Sequence, residues 1–62
     1  MTPGIGDIWQ YTFIKNHHVI TVLVLEENDE WQDTWFCLSL DNGECGEWYF
    51  GEQAMKDWRK LA

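Results

Sequence analysis

Residues 35–50 read Trp35-Phe36-Cys37-Leu38-Ser39-Leu40-Asp41-Asn42-Gly43-Glu44-Cys45-Gly46-Glu47-Trp48-Tyr49-Phe50. Two stretches rich in aromatic and apolar residues flank Asp41-Asn42-Gly43, a turn signal, and together they predict a β-hairpin. The hairpin's register decides which side chains form the core. A two-residue Asn42-Gly43 loop places Leu38 opposite Glu47 and puts Phe36 and Leu38 on the face opposite Trp48 and Phe50. A three-residue loop, a type I turn closed by a left-handed Gly43 in a bulge, pairs Leu40 with Glu44, Leu38 with Gly46 and Phe36 with Trp48. That second register gathers Phe36, Leu38, Trp48 and Phe50 on one face and is the one expected. The choice matters because a slip of one residue turns a strand inside out.

Upstream of the hairpin, Ile8 to Ile14 alternates, with Trp9, Tyr11 and Phe13 on one side and Ile8, Gln10, Thr12 and Ile14 on the other. This predicts a first strand, with either side plausible as the core face. Lys15-Asn16-His17 forms a polar turn. Val19 to Leu25 is β-branched and apolar on both sides, the pattern of a central strand covered on two faces. Glu26 to Asp33 reads as an acidic loop with five carboxylates and one aromatic, Trp31. Downstream, Ala54, Met55, Trp58 and Leu61 recur at helical spacing, with Glu52 early and Lys56, Arg59 and Lys60 late, an order that suits the helix dipole. A helix is therefore expected over the tail, in preference to a closing strand from Asp57 to Leu61 that would split Trp58 and Leu61 between faces.

These elements predict one mainly β domain: a small bent antiparallel sheet or partly open barrel of about four strands, with a short C-terminal helix. The opening Gly6-Asp7-Ile8-Trp9, followed by the long apolar second strand, resembles small SH3-like barrels. It is also distantly similar to the first two strands of the MazF/PemK-type toxin barrels, which implies a ribonuclease as one reading. The likeness covers about 20 residues. The Arg-Pro that usually opens the second strand in those toxins is His18-Val19 here, and no catalytic residue is carried over.

Composition narrows the function. Eleven acidic against four basic residues give a net charge of −7, which disfavours direct nucleic-acid binding, because phosphates are held by a basic face. The same charge opposes adhesion to anionic lipid. The longest apolar run, Val19 to Leu25, is seven residues, far short of the ~20 that cross a bilayer. Met1-Thr2-Pro3-Gly4 has neither the basic nor the apolar part of a signal peptide, so the cytoplasm is the expected compartment. Ten aromatics, five of them Trp, sit among 62 residues. A monomer this small can leave few such rings in water.

Catalytic and metal-binding patterns are weak. Ser39 is the only serine and has no nucleophile elbow around it. Gly4-x-Gly6 lacks the third glycine and the lysine of a phosphate loop. His17 and His18 are neighbours that point apart on an extended chain, and Cys37 and Cys45 stand at C-x7-C spacing, which is no zinc knuckle. In the expected register the two thiols are diagonal, about 7–8 Å apart, so both are expected to be free. The acidic loop has no calcium-loop pattern. The expectation is a protein that is not an enzyme and uses no metal or cofactor.

The acidic loop is the strongest candidate surface. Glu26, Glu27, Asp29, Glu30 and Asp33 surround Trp31, Trp35 joins the face, and Glu44, Glu47 and Glu52 extend it if the sheet curls towards it. An aromatic anchor ringed by carboxylates suits a basic groove on another protein. The leading expectation is thus an interaction module for a basic protein surface. Small size, acidity and the lack of a catalytic motif resemble, in type only, phage or mobile-element inhibitors of host proteins. A compact chain of this length is ~27 Å across, where DNA carries about 16 phosphates. Mimicry of nucleic acid by eleven acids is therefore partial and needs aromatic contacts. The alternative is a self-associating homodimer that stacks a flat ligand on Trp9, Trp31 or Trp35.

Overall fold

The computed structural model describes residues 2–62. Five strands form one antiparallel sheet: β1 (Ile8–Thr12), β2 (Val19–Glu27), β3 (Thr34–Ser39), β4 (Cys45–Tyr49) and β5 (Trp58–Lys60). Their spatial order is β4-β3-β2-β1-β5, so the first four make a meander and the last returns to the far side of β1. The sheet is open but strongly bent. Its inner side packs Trp9, Val22, Val24, Trp35, Cys37, Phe50 and Trp58, and Tyr11, Ile20 and Trp48 close over that core.

The alternation of β1 decides its buried side. Trp9 faces Val22 and Tyr11 faces Ile20, and these inner positions join the core. On the other side, Ile8 faces Leu23 and Gln10 faces Thr21. The chain enters β1 through Asp7, whose Oδ2 accepts from the Gly4 N–H at 2.8 Å and the Trp9 Nε1–H at 3.4 Å. Lys60 Nζ lies 3.9 Å from its other oxygen. The Gly4 hydrogen bond, helped by Trp9 and Lys60 and opposed by partial desolvation, holds the Asp7 carboxyl below the usual carboxylate range.

Three expectations are corrected. The β3–β4 register pairs Trp35 with Trp48, Phe36 with Glu47, Cys37 with Gly46 and Leu38 with Cys45, one residue away from the expected pairing. The inner side therefore takes Trp35 and Cys37, while Phe36 and Leu38 face out. The reason lies in β2: the Leu40 N–H donates to the Thr21 carbonyl at 2.9 Å, and the Asp41 carboxylate accepts the Thr21 N–H at 3.0 Å. With Leu40 held by the central strand, the turn spans Leu40 to Gly43. It is closed by Gly43 N–H to Ser39 O and Ser39 N–H to Glu44 O, both 2.8 Å. Gly43 has φ +75°, the left-handed conformation that glycine adopts without a Cβ penalty.

The tail is the second correction. The expected helix is reduced to one 3-10 turn, Met55–Asp57, and the chain then extends into β5. Strand pairing wins because β1 offers a free edge and because extension buries Trp58. Leu61 N–H donates to Ile8 O at 2.8 Å and Ile8 N–H to Ala62 O at 2.9 Å. A lone ten-residue helix has little stability of its own in water. The strand count rises to five as a result.

Third, β2 is not covered on both faces. Val22 and Val24 are fully buried, but Val19 and Leu25 are exposed on the uncovered side, since no helix among the described residues packs there. β2 also runs to Glu27, taking the first two residues of the expected loop into the sheet.

Candidate interaction surface

The acidic segment is positioned by an irregularity in β2. The pairing shifts between Val24 and Glu26, a bulge that inserts Leu25 and re-aims the residues C-terminal to it. Glu26 then pairs with Phe36, and Phe36 pairs with Glu47 across the next ladder. Directly opposed residues share a face, so the half-buried Phe36 ring is flanked by a carboxylate on either side. Glu27 ends the strand opposite Trp35.

The loop between β2 and β3 is organised by Asn28, whose role is not evident in the acid count. Asn28 is buried at 5% exposure and has every polar group of its side chain engaged. Its backbone N–H donates to Thr34 O at 2.9 Å, its Oδ1 accepts the Glu30 N–H at 2.9 Å, and its Nδ2 donates to Glu47 Oε1 at 2.6 Å. That last bond ties the loop to β4 and holds the Glu47 carboxylate at Asn28. The signal available in sequence is the type of residue: an Asn before an Asp-Glu turn is a recognised local hydrogen-bonding device. Asp33 closes the loop at φ +57°, and its carbonyl accepts the Phe50 N–H at 2.7 Å.

The expected site residues divide on this scaffold. Glu26, Glu27, Asp29, Glu30 and Glu47 are exposed and Asp33 is half-buried. Trp31 is 64% exposed, against 2% for Trp9, 6% for Trp35 and 7% for Trp58. Trp35 leaves the candidate face, because its ring packs edge-on against Phe50 at 5.7 Å and belongs to the core. Trp9, proposed with it as a stacking surface, is also interior. Neither Lys nor Arg occurs in the loop. Among the described residues the sole ion pair is Lys60–Asp7, so these carboxylates are not neutralised within the chain. The cluster of Lys56, Arg59 and Lys60 that a helix would create is absent; Arg59 and Lys60 are successive strand residues pointing to opposite sides.

The cysteines are free, with Cys37 buried and Cys45 exposed. In the observed register they lie on opposite faces. Burial pushes the Cys37 thiol up to about 12, which makes it a packing group. His18 stacks on Phe13 with centroids 6.0 Å apart. No helix among the described residues is long and apolar enough to cross a membrane. Comparison with protein-family models, with curated proteins and with solved structures gives no match.

Proposed function

We propose that the protein is a non-enzymatic interaction module that docks its acidic, Trp31-bearing end on the basic surface of a partner protein. The exposed Trp31 carries this reading: in a domain that buries three of its indoles, one ring stands in water amid unneutralised carboxylates. Aromatic anchors contribute disproportionately to protein interfaces, and a single-sign rim steers a basic partner and fixes its orientation. In its sharpest form the docking covers a nucleic-acid groove of a host protein, and the module acts as an inhibitor. Two free thiols accord with a reducing compartment such as the cytoplasm.

The test is capture from nuclease-treated cell lysate, washed at low and high salt, with Trp31→Ala and a Glu26→Gln/Glu27→Gln/Glu30→Gln variant beside the parent chain. A basic protein retained by the parent, released by salt and lost with both variants is the expected result. Equal capture by all three overturns the reading. Trp31 is largely solvated, so its removal changes stability by about 0.5 kcal/mol or less, and lost capture reports binding instead of unfolding.

A further inference from the structure

The bent sheet closes at one end only. Where β4 ends, the Trp58 Nε1–H donates to Tyr49 O at 3.0 Å, and the Trp48 and Trp58 rings meet edge to face at 5.9 Å. A side chain, and no backbone ladder, joins the two edge strands there. Where β4 begins, the seam stays open as a cleft of about 370 Å³ between the β3–β4 turn and the β1–β2 turn, walled by Phe13, His18, Ile20, Gly46 and Trp48.

The backbone beside this cleft is available for pairing. Antiparallel ladders alternate hydrogen-bonded and non-hydrogen-bonded pairs. The bonds Ser39 N–H to Glu44 O and Phe50 N–H to Asp33 O fix the phase: Gly46 and Trp48 turn their peptide groups towards β3, while Cys45 and Glu47 turn theirs outward. Exposed edges are usually blunted by Pro, Lys or a bulge. Residues 45–49 contain neither Pro nor Lys, and the β3–β4 ladder is unbroken. Gly46 leaves the inner side clear, since a Cβ there would meet only Trp48 Nε1, at 3.9 Å. No Lys or Arg lines the cleft, whereas Glu44 does, and Glu47 stands on the outer side of the same edge.

We propose that this open half of the seam accepts an extended segment of a partner protein, added to β4 as a sixth strand, with one large apolar side chain against Trp48 and basic residues beside Glu47 and Glu44. Backbone pairing supplies affinity in this mode and alternate side-chain positions supply specificity. The basic character of the segment rests on the docking proposed for the Trp31 end; the free edge and the cleft do not. The cleft lies at the Cys45 end of β4, away from the Asn28–Asp33 loop; Glu47, held by Asn28, belongs to both surfaces, so Cys45 is the amide that tells them apart.

The probe is the peptide acetyl-Lys-Trp-Lys-Val-Lys-amide at millimolar concentration, with an analogue whose lysine backbone nitrogens are methylated. The readout is residue-resolved amide exchange of the full chain by NMR. The expected result is exchange at Cys45 and Glu47 slowed by about fivefold or more, with no slowing by the methylated analogue. Cys45→Pro, which removes an outward N–H and leaves the ladder to β3 intact, abolishes the protection. If that variant fails to fold, the two peptides on the parent chain still decide. Equal effects of both peptides, or peptide-induced shifts confined to residues 26–33, overturn the seam proposal; the second outcome leaves the docking reading standing. Protection at Cys45 with residues 26–33 unshifted supports the seam, and the docking reading then stands or falls on the capture experiment with Trp31→Ala.

Discussion

Trp58 lies face to face with Phe50, ring centroids 4.0 Å apart and planes within 17°. Phe50 follows β4 and Trp58 opens β5, so this stack joins the two edges of the sheet from the inside. Trp9 meets both rings edge-on, at 5.7 Å and 6.5 Å. Replacing Trp58 by Ala is expected to cost about 3–5 kcal/mol, comparable with the roughly 3–9 kcal/mol total stability of a domain this long. Trp58→Phe keeps an aromatic ring on Phe50 but orphans the Tyr49 carbonyl, and a loss of about 1–3 kcal/mol is expected. Urea titration followed by circular dichroism distinguishes them; equal losses for both variants would mean that the stack contributes little.

The observed β3–β4 register makes a chemical prediction. Cys45 faces water and Cys37 is fully buried, so iodoacetamide should add once to the native protein and twice in denaturant, as read by intact mass. Modification of both thiols at equal rates under native conditions would contradict the pairing of Cys37 with Gly46.

Cys37 also predicts a pH dependence. Its thiol is held near 12 in the folded state, against an unfolded value of about 8.5. Between those values the folded chain binds more protons than the unfolded one, so its stability is complete below the lower value and declines as pH rises through the window. Cys37→Ala should be less stable at pH 7, because it leaves a cavity, yet should lose stability less steeply above pH ~8.5. Parallel stability curves for the two proteins would remove Cys37 as the cause.

Asn28 is expected to be the hinge pin of the acidic loop. Asn28→Ala removes its bonds to Glu30 and Glu47, with an expected loss of about 1–3 kcal/mol. Asn28→Asp places a second carboxylate against Glu47, and like charges at that range raise the pKa of the pair. That variant should be least stable near neutral pH and should recover as acid protonates the pair. A deficit that does not change with pH would show that charge repulsion is not involved.

The Tyr49 ring fills the space that a Cβ on Gly51 would need. Gly51→Ala must therefore displace Tyr49, which is half exposed and able to swing out. The expected loss is about 1–3 kcal/mol, and Gly51→Ala in a Tyr49→Ala background should cost much less. Additive losses in this double-mutant cycle would place the cost elsewhere.

Much of the architecture is legible in the residues themselves. The alternation of Trp9 and Tyr11, the β-branched run from Val19 and the Asp41-Asn42-Gly43 turn specify strands and their antiparallel order, because period and turn chemistry are local properties. Legible too is the acidic segment, since charge and an aromatic among charges need no fold to be seen. Asn28 is harder to find: its importance comes from reaching Glu47, nineteen residues away.

What only the tertiary structure decides are competitions between local preferences and distant partners. Leu40 could extend the hairpin, but Thr21 holds its backbone, and that one contact sets which of Phe36 or Trp35 enters the core. The tail has helical spacing, yet the free edge of β1 and the apolar hollow around Phe50 draw Trp58 into a strand. Hydrogen bonds and burial offered by a sheet already in place outweigh the few tenths of a kcal/mol per residue that separate helical from extended preference. Trp35 and Trp31, four residues apart and alike in sequence terms, thereby come to lie one in the core and one in water.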